Sequence, residues 1–107
     1  MSELEKMYAL AVERKDNPEE GSYTSYLYEK GLEKILKKIG EESSEVIIAA
    51  MNGSDEELVG EINDLLYHVI VLMVEKGITM EEVEDEMIRR SAKQHNLKAE
   101  RKPVTDL

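Results

Sequence analysis

A chain of 107 residues holds one domain with a modest core. Apolar residues make up 41% and aromatic residues only 5%, so that core is built from Leu, Ile, Val and Met. The formal charge of −10 excludes an exposed nucleic-acid footprint, and the absence of cysteine excludes disulfides, thiolate zinc sites and a cysteine nucleophile.

The first segment opens Met1-Ser2-Glu3-Leu4-Glu5-Lys6, without the basic-then-apolar pattern of a leader. Leu4, Met7, Tyr8, Ala11 and Val12 fall on one helical stripe, which predicts a helix over residues 2–16. Asn17-Pro18 breaks it, because the residue before proline avoids the helical region. Residues 19–24 read as a loop leading into a short helix that ends near Gly31. The next helix carries Leu32, Ile35, Leu36, Ile39, Ser43, Val46, Ile47 and Ala50 on one stripe, and Asn52-Gly53 suits a left-handed C-terminal turn. Ser54 with Glu57 is a capping-box sequence opening a further helix, with Leu58, Ile62, Leu65, Leu66, Val69, Ile70 and Met73 as its stripe. Gly77 closes that helix. Thr79 with Glu82 caps the last one, whose apolar face is Met80, Val83, Met87 and Ile88. All six methionines read as core.

No strand alternation, repeat or low-complexity tract occurs, so the expected fold is all-α, with short links that set consecutive helices antiparallel. The expected domain spans residues 1–98, followed by a polar tail, 99–107, that contains Pro103. The longest apolar run, Val69 to Val74, is far below the roughly 20 residues that span a bilayer, so a soluble cytoplasmic protein without a membrane partner is expected. So many apolar positions on short helices also suggest burial against a second copy, a homodimer.

Chemistry concentrates on the two central helices. Residues 41–45 read Glu-Glu-Ser-Ser-Glu and residues 61–64 read Glu-Ile-Asn-Asp, placing Glu42 with Glu45, and Glu61 with Asp64, three apart on a shared helix face. With Ile39 at zero, the apolar stripe centres near about +15°, Glu42 near about −60° and Glu45 near about −120°. With Ile62 at zero, Glu61 falls near about −100°, His68 near about −120° and Asp64 near about −160°. Flanks of this kind converge beside the seam of an antiparallel pair, and four converging carboxylates require a cation. Mg²⁺, a hard ion that takes oxygen ligands and binds phosphates, fits that need. Lys38 and Lys34 share the flank of Glu42, near about −100° and −140°, and suit a phosphate chain, whereas Lys37 points about 100° away from Lys38. Spacing alone also fits an ordinary solvated helix face, since 36% of the chain is charged.

Glu41-Glu42-x-x-Glu45 followed by Glu61-x-x-Asp64 resembles the metal-binding pattern of the all-α nucleoside triphosphate pyrophosphohydrolases, the MazG-like superfamily. Gly21-Ser22-Tyr23-Thr24, Lys38-Ile39-Gly40-Glu41-Glu42 and Asp64-Leu65-Leu66-Tyr67-His68 narrow the resemblance to its phosphoribosyl-ATP pyrophosphatase branch, over roughly residues 4 to 92. The resemblance implies a MazG-like four-helix-bundle dimer and Mg²⁺-dependent hydrolysis of phosphoribosyl-ATP between its α and β phosphates, the second step of histidine biosynthesis. It implies Glu42, Glu45, Glu61 and Asp64 as metal ligands and Glu41 as the group that orients or deprotonates the attacking water. Ser43-Ser44 and Asn63 depart from the usual pattern without removing a ligand. Two other readings stay open: the same chemistry on a canonical or damaged nucleoside triphosphate, and a non-catalytic helical dimerisation module.

Ser22, Tyr23 and Thr24 are expected either to cap the short helix or to touch substrate. His68 is expected to bond a metal-bound carboxylate or simply to pack. Arg89 and Arg90 are surface ion-pair residues, one of which reaches a ribosyl phosphate in the alternative. Gly40, a mid-helix glycine, is expected to admit close approach by a neighbouring helix or a ligand.

Overall fold

The computed structural model describes residues 1–93. Over that stretch the chain forms five helices: α1 (Glu3–Asp16), α2 (Tyr23–Lys30), α3 (Leu32–Asn52), α4 (Asp55–Lys76) and α5 (Met80–Ser91). The all-α expectation is met, with no strand among the described residues. The expected domain end at 98 and the polar tail around Pro103 lie outside the described residues.

Side-chain caps set the helix starts. Ser2, Ser22, Ser54 and Thr79 each accept a hydrogen bond from the backbone N–H three residues on, satisfying a donor the helix cannot. Only Thr79–Glu82 completes the reciprocal box; Ser54 accepts from the Glu57 N–H at 3.2 Å without the return bond. Because Ser22 is the cap of α2, Tyr23 and Thr24 belong to the helix rather than to the loop before it. Gly77 closes α4 in the left-handed conformation, at φ 75°. Gly53 does not: its backbone is extended, and the reason for glycine is crowding. A Cβ there would lie 2.8 Å from Glu57 Oε2 and 3.0 Å from the Ala49 carbonyl oxygen.

Gly53 and Ser54 alone join α3 to α4, which forces the two longest helices to double back and pack on each other. Packing of α1 against α4 and of α2 against α1 and α3 completes the fold. One core cluster comprises Ala11, Ile70, Met73 and Val74; the other comprises Leu27, Ile35 and Val71. Tyr28 packs against both, and its hydroxyl donates to the Ala11 carbonyl at 3.0 Å. Met80 and Val83 tether α5 to the first cluster.

The apolar stripes are only partly used within this one chain. On α3, Ile35 and Ala49 are buried, whereas Leu36, Ile47, Ile48 and Met51 are exposed, Met51 to 78%. On α4, Val59, Ile62 and Leu66 are exposed, yet the helix is well buried from His68 to Val74. Apart from Leu36 and Leu66, these exposed residues lie towards the Gly53 end of the hairpin. Met87 and Ile88 of α5 are exposed as well. The methionines divide likewise: Met73, Met7 and Met80 pack, and Met1, Met51 and Met87 do not. Gly40 has no described residue within 4 Å of a would-be Cβ, so neither a neighbouring helix nor tight packing among the described residues explains it.

Leu27 is fully buried between α2 and its neighbours. Leu27→Ala is expected to cost about 2–5 kcal/mol in urea unfolding, whereas Thr79→Ala, which removes a surface cap, should cost about 1 kcal/mol. Similar losses for the two would contradict this placement of the core.

Candidate metal centre

Ile35, Glu42 and Ala49 recur every seven residues, close to two helical turns, and all three are buried. Glu42 therefore lies in the line of residues that α3 turns inward, and is only 6% exposed. Its expected place was a flank of the stripe; the inward face of α3 is instead centred on Glu42. Glu45 lies one turn on, and Glu61 reaches the same place from α4. One carboxylate oxygen from each of Glu42, Glu45 and Glu61 falls within 4.8 Å of the others. Asp64, the fourth expected ligand, is not in this cluster. It is exposed and, with Glu45, Gly60 and Glu61, lines an adjoining groove of about 480 Å³.

Like charges this close cannot all ionise freely. Burial, and then hydrogen bonding to Glu45, pushes the Glu42 carboxyl above the ordinary glutamate range. Hydrogen bonding to Glu45 does the same to Glu61, helped by burial and by the charge of Asp64. Glu45, receiving hydrogen bonds from Glu61 and Glu42, is held below that range. Even with protons shared in this way, Glu42 Oε2 and Glu61 Oε2 are buried without any partner among the described residues. Orphaned buried carboxylate oxygens are costly. An all-oxygen donor set that leaves two of them unsatisfied is what a hard divalent cation satisfies.

Lys38 stands at the mouth of the cluster. Its ammonium lies 3.3 Å from Glu41 and 3.6 Å from Glu42, and the bond to Glu41 raises its pKa. Glu41 is exposed, outside the three-carboxylate cluster, and connected to it through Lys38. Tyr23 is near both Lys38 and Glu42 in charge terms: burial raises its pKa most, Lys38 lowers it and Glu42 raises it. The Tyr23 hydroxyl pairs with His68 Nε2 at 3.0 Å, and His68 Nδ1 lies 2.7 Å from the Asp64 carbonyl oxygen. A carbonyl only accepts, so Nδ1 carries the hydrogen in this bond. Nε2 of the neutral ring is then the acceptor, and the Tyr23 hydroxyl donates to it. His68 thus bonds the Asp64 backbone and Tyr23 rather than a ligand carboxylate. Thr24 is buried and bonds the Tyr67 hydroxyl, and the Ser22 hydroxyl oxygen caps the Ser25 N–H at 3.1 Å. Of the Ser22-Tyr23-Thr24 segment, only Tyr23 presents an exposed side chain.

Other expected residues lie apart from the carboxylates. Lys34 lines a second groove with Tyr26, Lys30, Glu33 and Lys37, although Lys37 had seemed set aside by its angle from Lys38. Arg89 and Arg90 both pair with Glu86 on exposed α5. Tyr67 and Tyr26 were missed by sequence reasoning. The rings of Tyr67, Tyr23 and Tyr26 stack in series, with centroids 6.2 and 6.0 Å apart. Tyr67 comes from α4 and the other two from α2, so no local spacing signals the stack.

The sequence pattern of the phosphoribosyl-ATP pyrophosphohydrolase family matches residues 4–91. The chain is 55% identical over 104 residues to the phosphoribosyl-ATP pyrophosphatase of Clostridium botulinum strain Hall, covering 97% of this chain and 94% of that protein. It is 52% identical over 103 residues to the enzyme of the same name from Streptococcus thermophilus, covering 96% and 98%. With that of Lactiplantibacillus plantarum it shares 51% identity over 98 residues, 92% of each chain.

The carboxylate cluster makes stability depend on pH in a definite sense. Because folding raises the pKa of Glu42, its contribution is fully present below the ordinary glutamate value of 4.5 and is lost as pH rises through the higher folded value. Glu45, with a lowered pKa, contributes with the opposite sign and loses its share as pH falls. The melting temperature of the wild type minus that of Glu42→Gln, measured in chelator, should therefore fall as pH rises from mildly acidic to neutral. A flat or rising difference would show that Glu42 is not strained by burial.

Proposed function

The chain belongs to the phosphoribosyl-ATP pyrophosphohydrolase family, and from that membership we infer that it hydrolyses phosphoribosyl-ATP to phosphoribosyl-AMP and pyrophosphate, a step of histidine biosynthesis. The observation that carries the reading on the structural side is the pair of buried, unpartnered oxygens of Glu42 and Glu61 within a three-carboxylate cluster. A solvated helix face does not bury carboxylate oxygens, so the dimerisation-module reading leaves them unexplained.

The cation proposed for the cluster is Mg²⁺, held by Glu42, Glu45 and Glu61, with Asp64 joining from the adjoining groove by a side-chain rotation. Such an ion, when bound, supplies neutralising charge to a phosphate chain and lowers the pKa of a coordinated water. The chain's own residues do the rest. Lys38, between Glu41 and Glu42, offers an ammonium to the phosphate oxygens at the mouth of the cluster. Glu41 is the proposed acceptor of the water's proton, being exposed, adjacent to the cluster and, among the described residues, paired only with Lys38. Tyr23 is the proposed substrate contact of its segment, with Ser22 and Thr24 positioning it through the cap and the Tyr67 bond. Lys34 completes the proposed set of substrate-binding residues; Arg89, expected from the sequence to belong to it, is engaged by Glu86 and is left out.

A homodimer is part of the proposal. The exposed apolar residues of the α3–α4 hairpin and, separately, Ile88 and Met87 of α5 offer apolar surface of the kind a second helical copy covers. None of the described helices is long and apolar enough to cross a membrane. A cytoplasmic location is the proposed setting.

Pyrophosphate release from phosphoribosyl-ATP should require a divalent ion and exceed release from canonical nucleoside triphosphates. Glu45→Gln should lower kcat on the order of a hundredfold or more, the scale of losing several kcal/mol of transition-state stabilisation. A ligand that binds only the folded state raises its melting temperature, and Mg²⁺ should do so for the wild type far more than for Glu45→Gln. Full activity and an undiminished Mg²⁺ shift in that variant would place the metal elsewhere. Preference for an ordinary nucleoside triphosphate would favour the house-cleaning alternative.

Sedimentation should give a dimer at micromolar concentration, and Ile48→Asp should shift it toward monomer. A wild type that sediments as a stable folded monomer would refute the dimer.

A further inference from the structure

Lys30, Lys34 and Lys37 line one groove of about 400 Å³, together with Tyr26 and Glu33. None of the three lysines forms an ion pair with any described residue, although the chain carries ten more negative than positive charges overall. Of the other described basic residues, Lys6, Lys15, Lys38, Arg14, Arg89 and Arg90 have acidic partners, and Lys76 and Lys93 do not but are no part of this groove. Three ammonium groups gathered with only Glu33 among them repel one another. In an acidic protein they are the kind of local field that offsets the long-range repulsion of an anion.

An aromatic stack links the groove to the side chains beside the metal centre. Tyr26 forms part of its wall and stacks on Tyr23 at 6.0 Å, and Tyr23 senses the charges of Lys38 and Glu42. On the far side, the Lys30 ammonium lies over the Tyr26 ring at 5.8 Å from its centroid. A carboxylate centre therefore gives way to an aromatic tier and then to a basic groove. Tyr26 also borders a larger cleft of about 970 Å³ that Tyr23 and Tyr28 help to line. That cleft can accommodate the planar and sugar parts of a ligand whose charged ends lie on either side.

Phosphoribosyl-ATP has charged ends of this kind: a triphosphate, and the phosphate monoester of its phosphoribosyl group. We propose that the Lys30–Lys34–Lys37 groove binds the phosphoribosyl monoester, so that substrate is held at two anionic points and nucleotides lacking the second are discriminated against. This deepens the functional reading above and rests on it. It assigns the ribosyl phosphate to α2 and α3 rather than to Arg89, whose guanidinium is engaged by Glu86.

The test uses the full chain with saturating Mg²⁺, comparing wild type, the double variant Lys30→Gln/Lys37→Gln, and Arg89→Gln. Charge-assisted contacts to phosphate are strong enough that the double variant should raise KM for phosphoribosyl-ATP about tenfold or more, with kcat held within about twofold. ATP, measured as a competing ligand, should bind wild type and double variant equally. Ribose 5-phosphate, titrated by calorimetry, should bind wild type and not the double variant. An unchanged KM, an equal loss of ATP binding, or a KM effect confined to Arg89→Gln would each overturn the proposal. If wild type fails to turn over phosphoribosyl-ATP, the functional reading fails instead; the ribose 5-phosphate titration needs no turnover and still decides whether the groove is a sugar-phosphate site.

Discussion

Mutual repulsion among Glu42, Glu45 and Glu61 is the constraint around which this fold is arranged. A two-residue link makes α3 and α4 double back, and their packing places an acid of one against two of the other. The core then closes over part of the cluster, because Glu42 shares its line with Ile35 and Ala49. Hydrophobic burial therefore holds together charges that would otherwise separate. The fold accepts a local penalty in the absence of an ion, and the divalent cation proposed for the cluster would convert it into affinity. Marginally stable proteins commonly concentrate such strain where they function.

Much of this was legible in the sequence because it depends on local periodicity. The caps at Ser22, Ser54 and Thr79, the breaks at Gly31 and Gly77 and the acid pairs on consecutive helices are all short-range signals. The angular count brought Glu42, Glu45 and Glu61 to one side correctly. It misjudged the depth of Glu42 because it took the centre of the apolar stripe as the direction of the core. On α3 that stripe has two users: Ile35 turns into the chain, while Leu36, Ile47 and Ala50 turn out. An average over both points between them. Asp64 shows the complementary limit, since sharing a face with Glu61 on α4 does not bring its carboxylate within ligand distance of α3.

The remainder was hidden because it depends on tertiary contacts. Tyr23 and His68 are 45 positions apart, and Thr24 and Tyr67 are 43 apart. Nothing in the sequence around either partner records the other. Gly53 and Gly40 show that a glycine's meaning also comes from its neighbours. One lies where a side chain would collide with Ala49 and Glu57, and the other faces open space.

The orientation of His68 fixes the hydrogen-bond polarity of the surface next to the cluster. Its Nδ1 hydrogen is committed to the Asp64 carbonyl, so its Nε2 takes the single hydrogen of the Tyr23 hydroxyl. Tyr23 is left with lone pairs only. Beside Lys38, which only donates, the chain thus displays an acceptor and a donor side by side. A ligand lying across them must present a hydroxyl or an N–H to the tyrosine and an anionic oxygen to the lysine. This is the alternation that a sugar next to a phosphate provides, and a run of phosphates alone cannot match it. With the ring neutral, the imidazole, without touching the proposed ligand, would therefore set which way round it lies.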